Sequence, residues 1–248
     1  MTPFHLTGKT ILVTGASSGI GRQVCISASK MGAIVVLSAR NESRLNETFA
    51  LLEKGDHRII TADITSAADR EKLAREIPAL DGIVHCSGFV TPFPVKFLTQ
   101  EKMDETMNLN YEAPVLLIAA FLKAKKISTK ASIVLLSSIS GQHPHKGGSM
   151  YGSSKAALES FAKVLALELY PQGVRVNCIS PGMVKTPLYE KAEQDSSKET
   201  MDAHVARYPL GPGLPEDVAN AAIYLLSPAS RWVTGINLVL DGGFLLGG

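Results

Sequence analysis

Tyr151 and Lys155 stand four residues apart in the stretch Tyr151-Gly152-Ser153-Ser154-Lys155. In a helix of 3.6 residues per turn, that spacing stacks the two side chains on one face. A phenol beside an ammonium is an acid–base device. Free tyrosine titrates near 10. A cation about 5 Å away, at an effective dielectric of about 20, favours the phenolate by roughly 3 kcal/mol. The expectation is a Tyr151 moved toward neutrality. The pair alone is equally compatible with an ordinary i,i+4 contact on a solvated helix, so its surroundings decide.

A second group of residues suits a different task. Thr14-Gly15-Ala16-Ser17-Ser18-Gly19-Ile20-Gly21 lies between a strand pattern and a helix pattern. Glycines there permit a tight turn and let backbone N–H groups approach a pyrophosphate. The helix that follows turns its positive end to the same anion. The spacing is G-x-x-x-G-x-G rather than G-x-G-x-x-G. The only Gly-Lys-Thr, residues 8–10, precedes the strand and lacks an upstream glycine, which argues against a P-loop. The next strand ends Ser38-Ala39-Arg40. An NAD site would place a carboxylate there for the ribose 2′-hydroxyl. A serine and a guanidinium instead suit a 2′-phosphate, so NADP(H) is favoured over NAD(H), with Arg44 able to share the role.

These groups need a scaffold. Strand patterns occur at Thr10–Thr14, Ile34–Ser38, Arg58–Ala62, Gly82–Cys86, Ser132–Ser137, Val174–Ile179 and Asn237–Leu240. Several are apolar on both faces, as strands covered on each side must be. Helical patterns fall between them at about 19–31, 42–54, 67–77, 101–126, 151–170 and 215–226. This alternation predicts an α/β chain with a parallel sheet and right-handed crossovers. Ligands bind beyond the carboxyl ends of such strands, so the residues just after each strand matter most.

Composition limits the alternatives. The chain has 248 residues, 45% hydrophobic and 19% charged, with a formal charge of +2. That is enough for one substantial core, and it gives no electrostatic case for nucleic acid or a membrane surface. Cys25, Cys86 and Cys178 form neither a disulfide framework nor a metal-ligand spacing, so no metal is expected and a reducing setting is. Residues 1–6 show no signal-peptide pattern, and the apolar run 113–122 is half a bilayer span, so a cytoplasmic protein is expected. Residues 113–122 and 156–169 are apolar nearly all round. This predicts a subunit interface, the alternative being cover from the chain's own C-terminal segment.

Taken together and in order, these residues resemble the short-chain dehydrogenase/reductase family (SDR), and within it the 3-oxoacyl-carrier-protein reductases. The likeness is carried by the Thr14–Gly21 loop, Asp63, Asn110, Ser138 thirteen residues before Tyr151, Tyr151 and Lys155. It continues through Pro181-Gly182 with Thr186, and Pro215-Glu216-Asp217-Val218. It implies a single doubly wound Rossmann-type domain over 1–248, with a seven-stranded parallel sheet in the order 3-2-1-4-5-6-7. It implies hydride transfer between NADP(H) and a carbonyl or secondary alcohol. Tyr151 would be the general acid or base, and Lys155 would tune it and hold the nicotinamide ribose. Ser138 would bond the substrate oxygen, and Asn110 would support a water leading from Lys155 to solvent. Gly15, Ser17, Ser18, Gly19, Ile20 and Gly21 would cradle the pyrophosphate and Arg40 the 2′-phosphate. Asp63 and Ile64 would border the adenine, Gly88 would pass close to the cofactor, and Val184 and Thr186 beyond Pro181-Gly182 would hold the carboxamide.

One segment departs from the family. Where Asn-Asn-Ala-Gly is usual, this chain reads His85-Cys86-Ser87-Gly88. A histidine filling a structural slot and an unreactive buried thiol are expected there. His143 and His145 lie between Ser138 and Tyr151, either at a substrate mouth or solvated. Lys123, Lys125, Lys126 and Lys130 either complement a helix end or meet an acidic partner such as an acyl carrier protein. Residues 185–214 mix apolar and charged side chains as a substrate lid would, and substrate identity is expected to be written mainly there and in Phe89–Phe93. A 3-oxoacyl thioester is the leading substrate, with a sugar, steroid or small ketone next. A non-catalytic dinucleotide-binding sensor or scaffold is the alternative of another class. Assembly into a homodimer or homotetramer is expected.

Overall fold

Runs of β-branched and aliphatic residues build the sheet. Thr10–Thr14 and Ile34–Ser38 form β1 and β2, with every residue after the first of each buried. They are joined by β3 (Arg58–Ile59), β4 (Leu80–His85), β5 (Ile127–Leu136), β6 (Arg175–Pro181) and β7 (Asn237–Leu240). The computed structural model describes residues 2–195 and 197–247; residues 1, 196 and 248, and so parts of the expected domain and lid, lie outside the described residues. All strands pair in parallel in the order β3-β2-β1-β4-β5-β6-β7, as expected. Thr14 pairs with Ser38 on one side and His85 on the other, so the carboxyl ends of the central strands share one edge.

Four strands depart from their expected bounds, β4 and β6 by one or two residues at each end and β3 and β5 by more. β3 stops at Ile59, not Ala62, although Ile60 and Ala62 still donate to the carbonyls of Leu37 and Ala39. β5 begins at Ile127, well before Ser132, through an irregularity opposite Leu80–Gly82 in which Lys130 takes a positive φ.

Helices α1 (Gly19–Lys30), α2 (Glu42–Phe49) and α9 (Pro215–Leu226) cover one face. Helices α3 (Ala67–Glu76), α5 (Ala113–Lys123) and α6 (Ser149–Leu169) cover the other. Side chains of Asn41 and Ser66 cap the first turns of α2 and α3 by accepting backbone N–H bonds. The single helix expected over 101–126 is instead α4 (Gln100–Met107), a π-helical segment at Asn108–Glu112, and α5. Pro114 supplies the reason. It has no N–H to return to the carbonyl of Asn110 four residues earlier, and the helix widens there.

Residues 185–214 carry two further helices, α7 (Pro187–Asp195) and α8 (Lys198–Val205). Met201 and Tyr208 are buried while Leu188 and Leu210 are exposed, so the apolar residues of this segment divide rather than share one covered face. On α5 and α6, Leu116, Val164 and Leu167 are exposed, the last at 72%. Among the described residues no helix is long and apolar enough to cross a membrane.

Candidate active site

The carboxyl ends of β1, β2 and β4 open into a cleft of about 650 Å³. Its floor is the turn after β1. Gly15 has φ +67°, and a Cβ there would lie 2.9 Å from the backbone nitrogen of Ser87, so only glycine lets the two loops pass. A Cβ at Gly21 would meet the Gly15 carbonyl. Arg22 holds the turn from below, donating to the Ser17 carbonyl at 2.9 Å and to Thr48 Oγ1 at 3.0 Å. Thr48 in turn donates to the Ala16 carbonyl. Ser18, at the N-cap of α1, makes no side-chain capping bond, and the first turn carries no acid. The N–H groups of α1 therefore face the cleft with their partial positive charge available to an anion.

The walls gather many of the residues expected to hold a cofactor. Gly15, Ser17, Ser18, Gly19, Ile20, Gly21, Arg40, Asp63, Ile64, Gly88 and Thr186 all line the cleft. The Ser38 hydroxyl, buried at the end of β2, has no hydrogen-bond partner among the described residues. Arg40 and Arg44 line the same cleft. At Asp63, burial raises the carboxyl pKa. The hydroxyl and N–H of Thr65, with the Arg40 charge, outweigh that and hold it below its usual value. Pro181, Gly182 and Val184 do not reach the wall. Tyr208 and Asp241 cover Gly182, and Val184 pairs with Gly213. A glycine cradle, an uncapped helix start, an orphaned buried hydroxyl and two guanidinium groups all fit a phosphorylated dinucleotide.

Gly88 joins this cleft to the acid–base group. A Cβ there would lie 3.2 Å from Asn110 Oδ1 and 3.3 Å from Lys155 Nζ. Asn110 is buried in the π-helical segment, where its amide donates to the Phe89 carbonyl (3.0 Å) and Ser154 Oγ (3.2 Å). Its Oδ1 accepts the Phe89 N–H at 3.0 Å. One side chain thus ties the loop after β4 to α6. Lys155 Nζ lies 5.8 Å from the centre of the Tyr151 ring. Ser138, which caps the short turn Ile139–Gly141, faces the same phenol.

The direction of the Tyr151 shift corrects the expectation. Burial of the phenol raises its pKa, and the Ser138 hydroxyl only partly offsets this. The cation does not win because it is buried too. Desolvation brings Lys155 down to about 8, and its amine donates to the Leu136 carbonyl at 2.8 Å. Without a ligand, Tyr151 is therefore firmly protonated.

His85 fills a structural slot. Its Nδ1 lies 2.8 Å from Thr14 Oγ1, a bond across β4 and β1, while Nε2 has no partner among the described residues. Burial, with the nearby Lys155 charge, lowers its pKa to about 3. Burial pushes the Cys86 thiol up to about 12, which leaves it unreactive. Lys126 donates to the carbonyls of Ile77 and Arg75 at the end of α3, so one member of the basic run complements a neighbouring helix.

A buried carboxylate beside the site was missed from sequence. Glu159, one turn after Lys155, accepts from Ser137 Oγ (2.7 Å), Ser180 Oγ (3.0 Å) and Gln142 Nε2 (2.8 Å). It links α6 to the ends of β5 and β6. The available signal was an acid at the i+4 position from Lys155 inside an otherwise apolar stretch.

Comparison with known proteins follows the same pattern. Residues 15–245 match the family model described as enoyl-(acyl carrier protein) reductase. Human dehydrogenase/reductase SDR family member 4 is 33% identical over 96% of this chain and 88% of its own length. The 3-oxoacyl-(acyl-carrier-protein) reductase FabG of Rickettsia felis is 31% identical over 97% of this chain and 98% of its own. The crystal structure of a dehydrogenase/reductase from Sinorhizobium meliloti 1021 superposes with a TM-score of 0.89 at 31% identity, covering 98% and 97% of the two chains. With the sheet order, the glycine turn and the grouping of Ser138, Tyr151 and Lys155 already in place, this chain belongs to the short-chain dehydrogenase/reductase family of oxidoreductases.

Proposed function

We propose that the protein is an NADP(H)-dependent reductase of a carbonyl group, acting reversibly on the corresponding secondary alcohol. The family uses a nicotinamide dinucleotide, which supplies or accepts the hydride when bound. The chain's own residues supply the rest. Tyr151 holds its proton until the substrate oxygen is in reach and then donates it. Ser138 gives a hydrogen bond to the same oxygen and disperses the charge growing there. Lys155 compensates the phenolate that is left, and Asn110 keeps the Phe89 loop clear of both. Thr186, Pro187 and Leu188, at the start of the expected lid, line the cleft and would limit water around the reacting atoms.

The single observation that carries this reading is a chain of neighbours: Lys155 Nζ reaches Gly88 in the wall of the cleft and lies 5.8 Å from the ring of Tyr151, whose phenol faces Ser138. Preference for NADP(H) rests on the unpartnered Ser38 hydroxyl and on Arg40 in the same cleft, where an NAD site would hold a carboxylate. A 3-oxoacyl thioester is the first substrate class to try, because a relative that spans nearly the whole chain is a reductase of that class. The apolar residues exposed on α5 and α6 support assembly with a second copy of the chain.

The test is NADPH consumption with acetoacetyl thioesters and a panel of neutral ketones. Turnover that is lost in Tyr151→Phe is the expected result. Tight NADPH binding with no turnover on any substrate would instead favour a dinucleotide sensor.

A further inference from the structure

Beyond Ser138 the structure builds a small aromatic cluster with a basic rim. Ile139, the next residue, packs against Tyr208 and Phe244. The Tyr208 hydroxyl accepts the N–H of Met183 at 3.0 Å, which fixes the cluster to the segment after β6. Phe244 is buried, and its ring centre lies 4.6 Å from that of Tyr208. Basic side chains surround this cluster. The Arg207 guanidinium lies over the Phe244 ring at 4.2 Å. His204 and His143 stand beside the same ring at 5.6 and 5.9 Å. His145 lies against Ser140, two residues from Ser138.

Among the described residues none of Arg207, His143, His145 and His204 forms a salt bridge. Asp241, a carboxylate whose field reaches Tyr208, accepts the N–H groups of Gly243 (3.0 Å) and Leu245 (2.9 Å). Burial first, and then Arg207 and His145, hold the His204 imidazole below its ordinary pKa, so at neutral pH it serves as a hydrogen-bond partner rather than as a second cation. A rim of this kind beside an apolar cluster suits a ligand whose chain is apolar and whose end is anionic.

We infer that this rim is the specificity site for the substrate's anionic end: the protein reduces carbonyl compounds that carry a carboxylate or phosphate beyond the reacting carbon, and Arg207 with His204 recognises that group. The inference rests on the reductase reading and adds the substrate's charge to it. The two sources of an anion are the carboxylate of a free oxo acid and the phosphate of a phosphopantetheine thioester.

Two matched pairs separate them: acetoacetate against its methyl ester, and acetoacetyl-phosphopantetheine against the thioester lacking the phosphate. The charged member of at least one pair should show a kcat/KM at least tenfold higher. Arg207→Gln should cut that ratio at least fivefold, and His204→Gln should also reduce it. Ratios near one in both pairs, or a ratio unchanged in both variants, overturn the inference even if every compound is reduced. A second readout needs no turnover. The imidazole resonances of His204 and His145 in the NADPH-loaded protein should move on titration with the preferred charged compound and stay fixed with its neutral partner. Movement without turnover would sink the reductase reading and keep the anion site; equal movement with both partners would sink the anion site.

Discussion

The amine of Lys155 donates to the backbone carbonyl of Leu136 at 2.8 Å, in a setting that leaves the lysine only 4% exposed. Burial lowers its pKa to about 8. Tyr151, by contrast, is pushed up and keeps its proton throughout the neutral range. Carbonyl reduction needs the phenol protonated and the amine charged. The kcat/KM profile, which reports the free enzyme, should therefore fall above about pH 8 as Lys155 loses its charge. Lys155→Arg retains the cation and should move that limb upward by more than one pH unit. A limb that stays in place in the arginine variant would belong to another group.

Cofactor preference has an equally direct test. Arg40 lies just past the end of β2 and lines the same cleft as Ser38, whose buried hydroxyl is unpartnered. A guanidinium–phosphate bond is worth about 1.5–3 kcal/mol, a ten- to hundredfold factor. Arg40→Asp should lower kcat/KM with NADPH by that factor relative to NADH. Measuring both cofactors with one substrate decides it, and an unchanged ratio would remove Arg40 from the site.

Glu159 should hold the site together mechanically. Its two oxygens receive donors from β5, β6 and the loop before α6. Glu159→Ala strips three donors of their acceptor and leaves a void, at a cost of about 3 kcal/mol. Glu159→Gln keeps the Ser137 and Ser180 bonds and should cost about 1 kcal/mol. Urea unfolding gives the ranking. Ser138 follows Ser137 directly, so kcat should fall more in the alanine variant than NADPH affinity does.

Assembly is testable at Leu167, which is 72% exposed on α6; Val164 on the same helix and Leu116 on α5 are exposed too. If these residues meet a second copy, Leu167→Glu should shift the species seen by light scattering toward the monomer at micromolar concentration. A wild-type monomer at that concentration would dismiss the interface.

Much of this was open to a reader of the chain alone. The spacing of Tyr151 and Lys155 survives any tertiary detail, because helix geometry sets it. The glycine turn, Ser38 and Arg40 sit directly after strands whose apolar pattern is plain. The sign of the Tyr151 shift was not legible. It depends on how deeply the phenol is buried against how well its cation is placed, and neither is a property of spacing. The Glu159 network was hidden for a related reason, since Ser137, Gln142 and Ser180 come together only when β5, β6 and α6 do. The π-helical turn at Asn110 had a local cause in Pro114, a residue that otherwise reads as an ordinary helix start.

His85 yields the last prediction, an acid-sensitivity specific to this chain. It stands where the family usually carries asparagine, bonded to Thr14 on one side and unpartnered on the other. Its pKa in the fold is about 3, against 6.5 for a free imidazole, through burial and then the Lys155 charge. The unfolded chain therefore binds one more proton than the native state between those values. Stability from this residue is fully present above pH 6.5 and drains away as the pH falls toward 3. At pH 4 the loss is about 3 kcal/mol. His85→Asn removes the titrating group and keeps a partner for Thr14. The unfolding free energies of wild type and variant should diverge by about that amount between pH 7 and pH 4, in favour of the variant. Parallel curves would mean that the buried imidazole takes up its proton in the native state, and that the sheet tolerates a charge at the end of β4.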